Sequence, residues 1–249
     1  DELIKTILGH NDYYENDEMR IFPKSQKELW NEGYEKETNT YIGAKWGKYI
    51  RAPQIFFKIL SKCKNKLVPL KEVADVRFGI KTGANEFFYL SGEEAKRRDI
   101  DKKYLQPIIF SLKKVVGYKL DRKNLPFKVI ICNEPKEKLK GTGLLKYILY
   151  GEKKGFDKHP TCASRKLWYS LGKDWYYTPL IFPAKVGERM PVFLNDDVFE
   201  DKKLYGITPK RKSDILLLAG LLNSTLSRFF IEFSCRQLTG AQAIADIDV

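Results

Sequence analysis

The apolar residues of this chain come in short runs, and their brevity limits the architecture more than any other feature. The longest, Ile215 to Leu222, has 8 residues, against the ~20 that a membrane-spanning helix needs. The others are the size of strands and fall at 19–22, 67–70, 73–78, 86–90, 105–110, 115–120, 127–132, 179–184, 192–194 and 204–208. Helical patterns do not alternate with them. They are expected after Ser25, over 51–62 with Ile55, Phe56, Ile59 and Leu60 on the apolar side, and from Thr142 to about 150. Ser213 is expected to cap a long amphipathic helix over 214–233, with Ile215, Leu218, Leu222, Leu226 and Phe229 on one face and the four aliphatic ones in the core. This grammar predicts an α+β fold with a mixed, mostly antiparallel sheet of short strands and a long C-terminal amphipathic helix, not a doubly wound one.

Charge narrows the class of partner. The 249 residues carry 45 Lys and Arg against 32 Asp and Glu, a net +13. Residues 1–40 hold 10 acids and 5 bases, so residues 41–249 carry +18, and 96–140 alone carry +9. Such a field attracts polyanions, because neutralised phosphates release condensed counterions. Lysine-rich surfaces also arise from thermal adaptation, so composition points to nucleic acid without requiring it. The first residues, Asp1-Glu2-Leu3-Ile4-Lys5, show neither an initiator Met nor a basic-then-apolar leader, and the expectation is a cytoplasmic chain cut from a longer polypeptide. Cys63, Cys132, Cys162 and Cys235 lie 69, 30 and 73 residues apart, unlike a zinc knuckle, and four free thiols are expected.

Chemistry-bearing motifs are sparse. Gly141-Thr142-Gly143 lacks the third glycine of a dinucleotide loop, and no phosphate-binding Gly-x-x-x-x-Gly-Lys occurs. Asn133-Glu134-Pro135-Lys136 lacks the second proline and the aromatic of an amino-methyltransferase motif. An alternative is a metal-dependent nuclease, with Asp121 before a strand and Glu134 and Lys136 after it. A solvated loop after a strand accounts for the same residues.

The turn Gly79-Ile80-Lys81-Thr82-Gly83-Ala84-Asn85 is richer. Its glycines permit positive φ, and Lys81, Thr82 and Asn85 would crowd one tip, suiting a phosphate or a base edge, or simply an ordinary hairpin turn. Arg165-Lys166-Leu167-Trp168-Tyr169 interleaves cations with aromatics; Trp168 is expected to be buried and Arg165 functional. Lys185 and Arg189, flanking Gly187, form a third basic loop.

Taken together these landmarks resemble one family. Val73-Ala74-Asp75-Val76-Arg77-Phe78-Gly79-Ile80-Lys81-Thr82-Gly83-Ala84-Asn85-Glu86-Phe87-Phe88-Tyr89-Leu90 is similar to the opening of a target recognition domain in TaqI-like adenine-specific DNA methyltransferases of restriction–modification systems, and type I specificity subunits open similarly. Arg165-Lys166-Leu167-Trp168-Tyr169 resembles the family's Arg-x-x-Trp-Tyr segment. Leu221-Leu222-Asn223-Ser224-Thr225 and Gly240-Ala241-Gln242-Ala243-Ile244 resemble its closing signature. The resemblance implies a DNA target recognition domain over 51–249, with 1–50 an acidic linker or docking segment toward a catalytic half that this chain lacks. It further implies that double-stranded DNA is the partner, that the chain alone is not catalytic, and that S-adenosylmethionine belongs to the absent domain, which methylates N6 of an extruded adenine. Lys81, Thr82, Asn85, Arg165, Lys166, Lys185 and Arg189 are the expected DNA contacts. A protein-interaction module whose basic face serves a partner subunit is the remaining alternative.

Overall fold

The computed structural model describes residues 2–186, 190–237 and 243–244. Two four-stranded sheets organise the chain. One runs in the order β11 (Phe193–Leu194), β9 (Leu180–Pro183), β13 (Leu204–Pro209) and β5 (Ala74–Phe78), all antiparallel. The other runs β12 (Phe199–Glu200), β7 (Leu105–Ile109), β8 (Phe127–Ile130) and β6 (Tyr89–Ser91); only β12 and β7 pair in parallel. Small ladders complete the set: β1 (Tyr14–Glu15) with β2 (Arg20–Ile21), β3 (Tyr34–Glu35) with β4 (Thr40–Tyr41), and β10 (Lys185–Val186) beside β15 (Ala243–Ile244) and β14 (Arg236–Gln237). This is the α+β, mostly antiparallel architecture the short apolar runs predict. No single helix among the described residues is long and apolar enough to cross a membrane.

The helices are short: α1 (Glu2–Leu8), α2 (Gln26–Gly33), α3 (Gly47–Arg51), α4 (Gln54–Lys62), α5 (Leu70–Val73), α6 (Asn85–Phe88), α7 (Gly92–Arg97), α8 (Gly143–Lys153), α9 (Pro160–Ala163), α10 (Ile215–Leu222) and α11 (Thr225–Ser234). Helix α2 begins with a capping box, Ser25 Oγ accepting from the Glu28 amide while Glu28 accepts from the Ser25 amide. Thr142 caps α8 by accepting from Leu145 N at 3.2 Å, as expected.

Among the described residues, three apolar clusters fill the interior. Phe87, Phe88, Ile108, Val129, Leu144, Ile148 and Tyr169 pack α6 and α8 against the β7–β8–β6 sheet. Leu180, Phe182, Tyr205, Ile207 and Leu218 join the other sheet to α10. Ile109, Leu112, Ile181, Phe193 and Leu204 fill the seam between the sheets.

Several expectations are corrected. The 67–70 run forms no strand; its end enters α5. The 115–120 run contributes only an isolated bridge, Lys119 to Leu194. Residues 86–90 are not one strand: α6 precedes β6, so the glycine turn is no hairpin tip but a crossover from one sheet to the other. Ile55 and Leu60 on α4 are exposed, leaving Phe56 as its buried residue. The long 214–233 helix is broken into α10 and α11, bent by 73°. Asn223 is the cause. Its Oδ1 accepts from Val192 N at 2.9 Å and its Nδ2 donates to Val192 O and Ala219 O, while Ser224 starts the next helix by accepting from Ser227 N. The bend breaks up the predicted face: Leu218 is buried, Leu226 is 44% exposed, and Phe229 packs instead on Phe56 of α4, ring centroids 5.9 Å apart. Ser213 lies within a one-turn 3-10 segment, Lys212–Asp214, rather than capping the helix.

Candidate functional site

The crossover after β5 is built around two glycines with no room for a side chain. At Gly79 a Cβ would fall 2.3 Å from the Glu200 carbonyl oxygen and 2.4 Å from that of Asp201, which is how closely the chain passes β12. The Gly79 amide donates to Leu204 O, Ile80 N to Glu200 O at 2.7 Å, and Lys202 N to Ile80 O at 3.0 Å. Ile80 is thereby buried in the cluster of Phe87, Phe88 and Ile108, and Lys81 emerges at the surface. Gly83 has φ +81°, and a Cβ there would sit 2.6 Å from Cβ of Thr161.

Three consecutive carbonyls of this loop are held by three side chains of one segment. Arg165 Nη2 donates to Lys81 O at 2.7 Å, Cys162 Sγ to Thr82 O at 3.6 Å, and His159 Nδ1 to Gly83 O at 3.2 Å. A carbonyl only accepts, so the His159 Nδ1 carries the proton. The holding segment is preformed. Pro160 opens α9, whose turn closes through Cys162 N and Ala163 N, each 2.8 Å from His159 O. Burial pushes the Cys162 thiol above its ordinary pKa, keeping it a donor. Burial likewise draws the Arg165 guanidinium below its usual value, yet the group remains charged at any working pH.

The expected contact residues separate accordingly. Lys81 and Lys166 are exposed cations. Asn85 is exposed and heads α6. Thr82 corrects its expectation: it is 1% exposed, its hydroxyl donates to Asn85 Oδ1 and accepts from Ala84 N at 3.2 Å, and it shapes the turn instead of reaching outward. Arg165 is half-buried, with Nη1 3.4 Å from Trp168 O and its guanidinium 5.6 Å from the Phe88 ring centroid. It fastens the loop and, with Lys166, Lys173, Asn133 and Ser170, borders a hollow of about 400 Å³. Trp168, expected to be buried, is only half-buried, because its Nε1 reaches out to donate to Glu152 at 2.8 Å, whereas Tyr169 is fully buried.

Lys185 lies on β10, apart from the loop in sequence yet joined to it through a turn. Lys202 N reaches Ile80 O, and the next residue's carbonyl, Lys203 O, accepts from Ala184 N at 3.0 Å. Lys202 and Lys203, both exposed, therefore bridge Lys81 to Lys185. Sequence reasoning missed this pair; the available signal was Asp201-Lys202-Lys203 standing between two apolar runs. Arg189, and Gly240 to Gln242 of the closing motif, lie outside the described residues.

Below the loop lies a buried charge pair. Arg77 Nη2 is 3.4 Å from Glu200 Oε1, donates to Tyr176 O, and its guanidinium covers the Tyr176 ring at 3.9 Å. Glu200 is 1% exposed, and its Oε2 has no hydrogen-bond partner among the described residues. Burial raises its pKa, outweighing the lowering by Arg77.

The nuclease constellation is not assembled. Asp121 caps a turn before β8, accepting from Lys123 N at 2.9 Å, whereas Glu134 lies past the other end of that strand and accepts from the Tyr104 hydroxyl. Lys136 is ion-paired with Glu152. Among the described residues no group of three His, Cys, Asp or Glu side chains is placed to hold a metal ion.

Fold and site together define a basic α+β domain that presents lysines around a fastened glycine loop. The family described as Type II methyltransferase M.Eco57I, C-terminal domain, matches residues 43–241, and the chain belongs to that family. The Type II methyltransferase M.AccI of Acinetobacter calcoaceticus is 36% identical over an alignment of 121 residues that covers 44% of this chain and 21% of that protein. The chain thus matches about a fifth of its curated relative's length. Among solved structures, the type IIG restriction endonuclease BpuSI superposes with a TM-score of 0.49 at 14% identity, over 75% of this chain and 24% of that one. The type IIL restriction-modification enzyme MmeI, in complex with DNA, gives 0.48 at 14%, over 73% and 25%.

Proposed function

We propose that this chain is the sequence-recognition region of a site-specific adenine-N6 DNA methyltransferase of a restriction–modification system. It grips duplex DNA and presents the target adenine to a separate catalytic domain, which holds S-adenosylmethionine. The observation that carries this reading is membership, over residues 43–241, in a C-terminal methyltransferase domain family. The surface supports it: Lys81 is exposed on a loop whose main chain is held at three points, Asn85 is exposed at its end, and Lys166 and Lys185 add exposed positive charge. Fixed placement of a few polar side chains is what discrimination of base edges needs, while scattered cations serve phosphates. Adenine as the target follows from the resemblance of the sequence motifs.

The test is affinity of the 249-residue chain for a randomised duplex pool at several salt concentrations, with the retained sequences read. Steep salt dependence with an enriched motif is the expected result. Incubating the complete methyltransferase with S-adenosylmethionine and that motif should then yield N6-methyladenine; a methylated cytosine would refute the adenine assignment. Absence of DNA binding at low salt would leave the basic face to a protein partner.

A further inference from the structure

A groove of about 770 Å³ runs beside the Lys202–Lys203 turn. Its floor includes Phe110, Leu112, Pro183 and Pro191, and its rim carries Lys113, Lys185, Lys202 and Lys203, all four exposed. No carboxylate is found among its described lining residues. The acids that precede the turn are turned inward: Glu200 toward Arg77, and Asp201 toward the Tyr89 hydroxyl at 2.7 Å and the Lys203 amide at 3.0 Å. Asp121 lines the adjoining hollow, which shares Phe110, Ser111 and Lys113. None of the four lysines has an ion-pair partner among the described residues.

An apolar floor under a cationic rim matches the two surfaces of a sugar–phosphate strand. Deoxyribose carbons suit Phe110 and the prolines, and phosphates suit the ammonium groups. Lysines are point charges on flexible stems, without the planar fork that reads guanine, so they neutralise phosphate better than they discriminate bases. The groove is also continuous with the loop, because the Lys202 amide is bonded to Ile80 O, one residue before Lys81. The geometry points to this groove as the seat of one DNA strand's backbone, with Lys113, Lys202 and Lys203 as sequence-independent phosphate contacts and the loop beside it left to read bases. This assignment rests on the DNA-binding reading above and divides labour within it.

The experiment compares the wild-type chain with the triple variant Lys113→Gln, Lys202→Gln, Lys203→Gln on the selected duplex and on random duplex across a salt series. The expected result is the same fold-loss of affinity on both DNAs, a salt slope smaller by about one per lysine, and an unchanged preferred sequence. The single variant Lys203→Gln should give about a third of that slope change, which keeps the test sound if the triple variant folds poorly. An unchanged slope in either variant overturns the proposal, as does a loss confined to the selected sequence, which would make the groove a base reader. If the wild-type chain binds neither DNA at low salt, the DNA-binding reading itself falls, and no variant is needed to see it.

Discussion

Replacing Thr82 by Val keeps the side chain's shape and removes a buried hydroxyl that ties Asn85 Oδ1 to the Ala84 amide at the start of α6. We expect a loss of about 1–2 kcal/mol in urea denaturation, while Thr82→Ser, which keeps the hydroxyl, should lose only the roughly 0.5–1 kcal/mol of one buried methyl. A loss of DNA affinity with stability untouched would instead make Thr82 a phosphate contact. Arg165 and Lys81 divide in the same way. Arg165→Ala frees the Lys81 carbonyl and should lower both the thermal midpoint and DNA affinity, whereas Lys81→Ala should lower affinity alone. Equal midpoints for the two variants would deny Arg165 its fastening role. Sequence could place these residues at one turn, because glycines and polar residues mark turns. It could not tell which of them faced inward. That depends on the 159–165 segment around α9, more than 70 residues away, arriving with its own three donors.

Among the elements, the C-terminal helices show how a side chain overrides periodicity. The apolar spacing from Ile215 to Phe229 reads as one continuous stripe, and only the polar run Asn223-Ser224-Thr225 inside it marks the break locally. The Asn223 side chain stops the helix by engaging Val192, on a segment some 30 residues earlier. Leu218, ahead of the bend and buried, should lose about 2–5 kcal/mol as Ala. Leu226, beyond it, should change by less than about 0.5 kcal/mol in the same denaturation assay. Comparable losses at both positions would restore the single straight helix. The strands tell a parallel story. Runs such as 73–78 and 204–208 were legible because they pair along their length, β5 lying opposite β13 over five residues. The 115–120 run has the same composition, but its pairing is confined to one bridge at Lys119, where Tyr118 O and Leu120 N bond to Leu194, and Leu120 packs into the core without a ladder.

For the whole molecule, the seam between the sheets carries a cost in charge. Glu200 is held away from water with its pKa raised, so the native chain keeps that proton to a higher pH than the unfolded chain does. Stability therefore declines as pH rises from the ordinary carboxylate range through the raised folded value. Glu200→Gln removes the titration, and its thermal midpoint relative to wild type should climb over that interval and be level below it. Arg77 keeps the Tyr176 carbonyl and ring as partners in the variant. A gap that widens toward acid instead would show that the ion pair outweighs burial. The fastening above this seam has another consequence. It grips only main-chain oxygens of residues 81–83, so the path of the loop is independent of the side chain at position 81. On the proposed DNA-reading role, that position works like an interchangeable bit in a fixed chuck: a lineage could swap the residue there and acquire a new target sequence without rebuilding the mount.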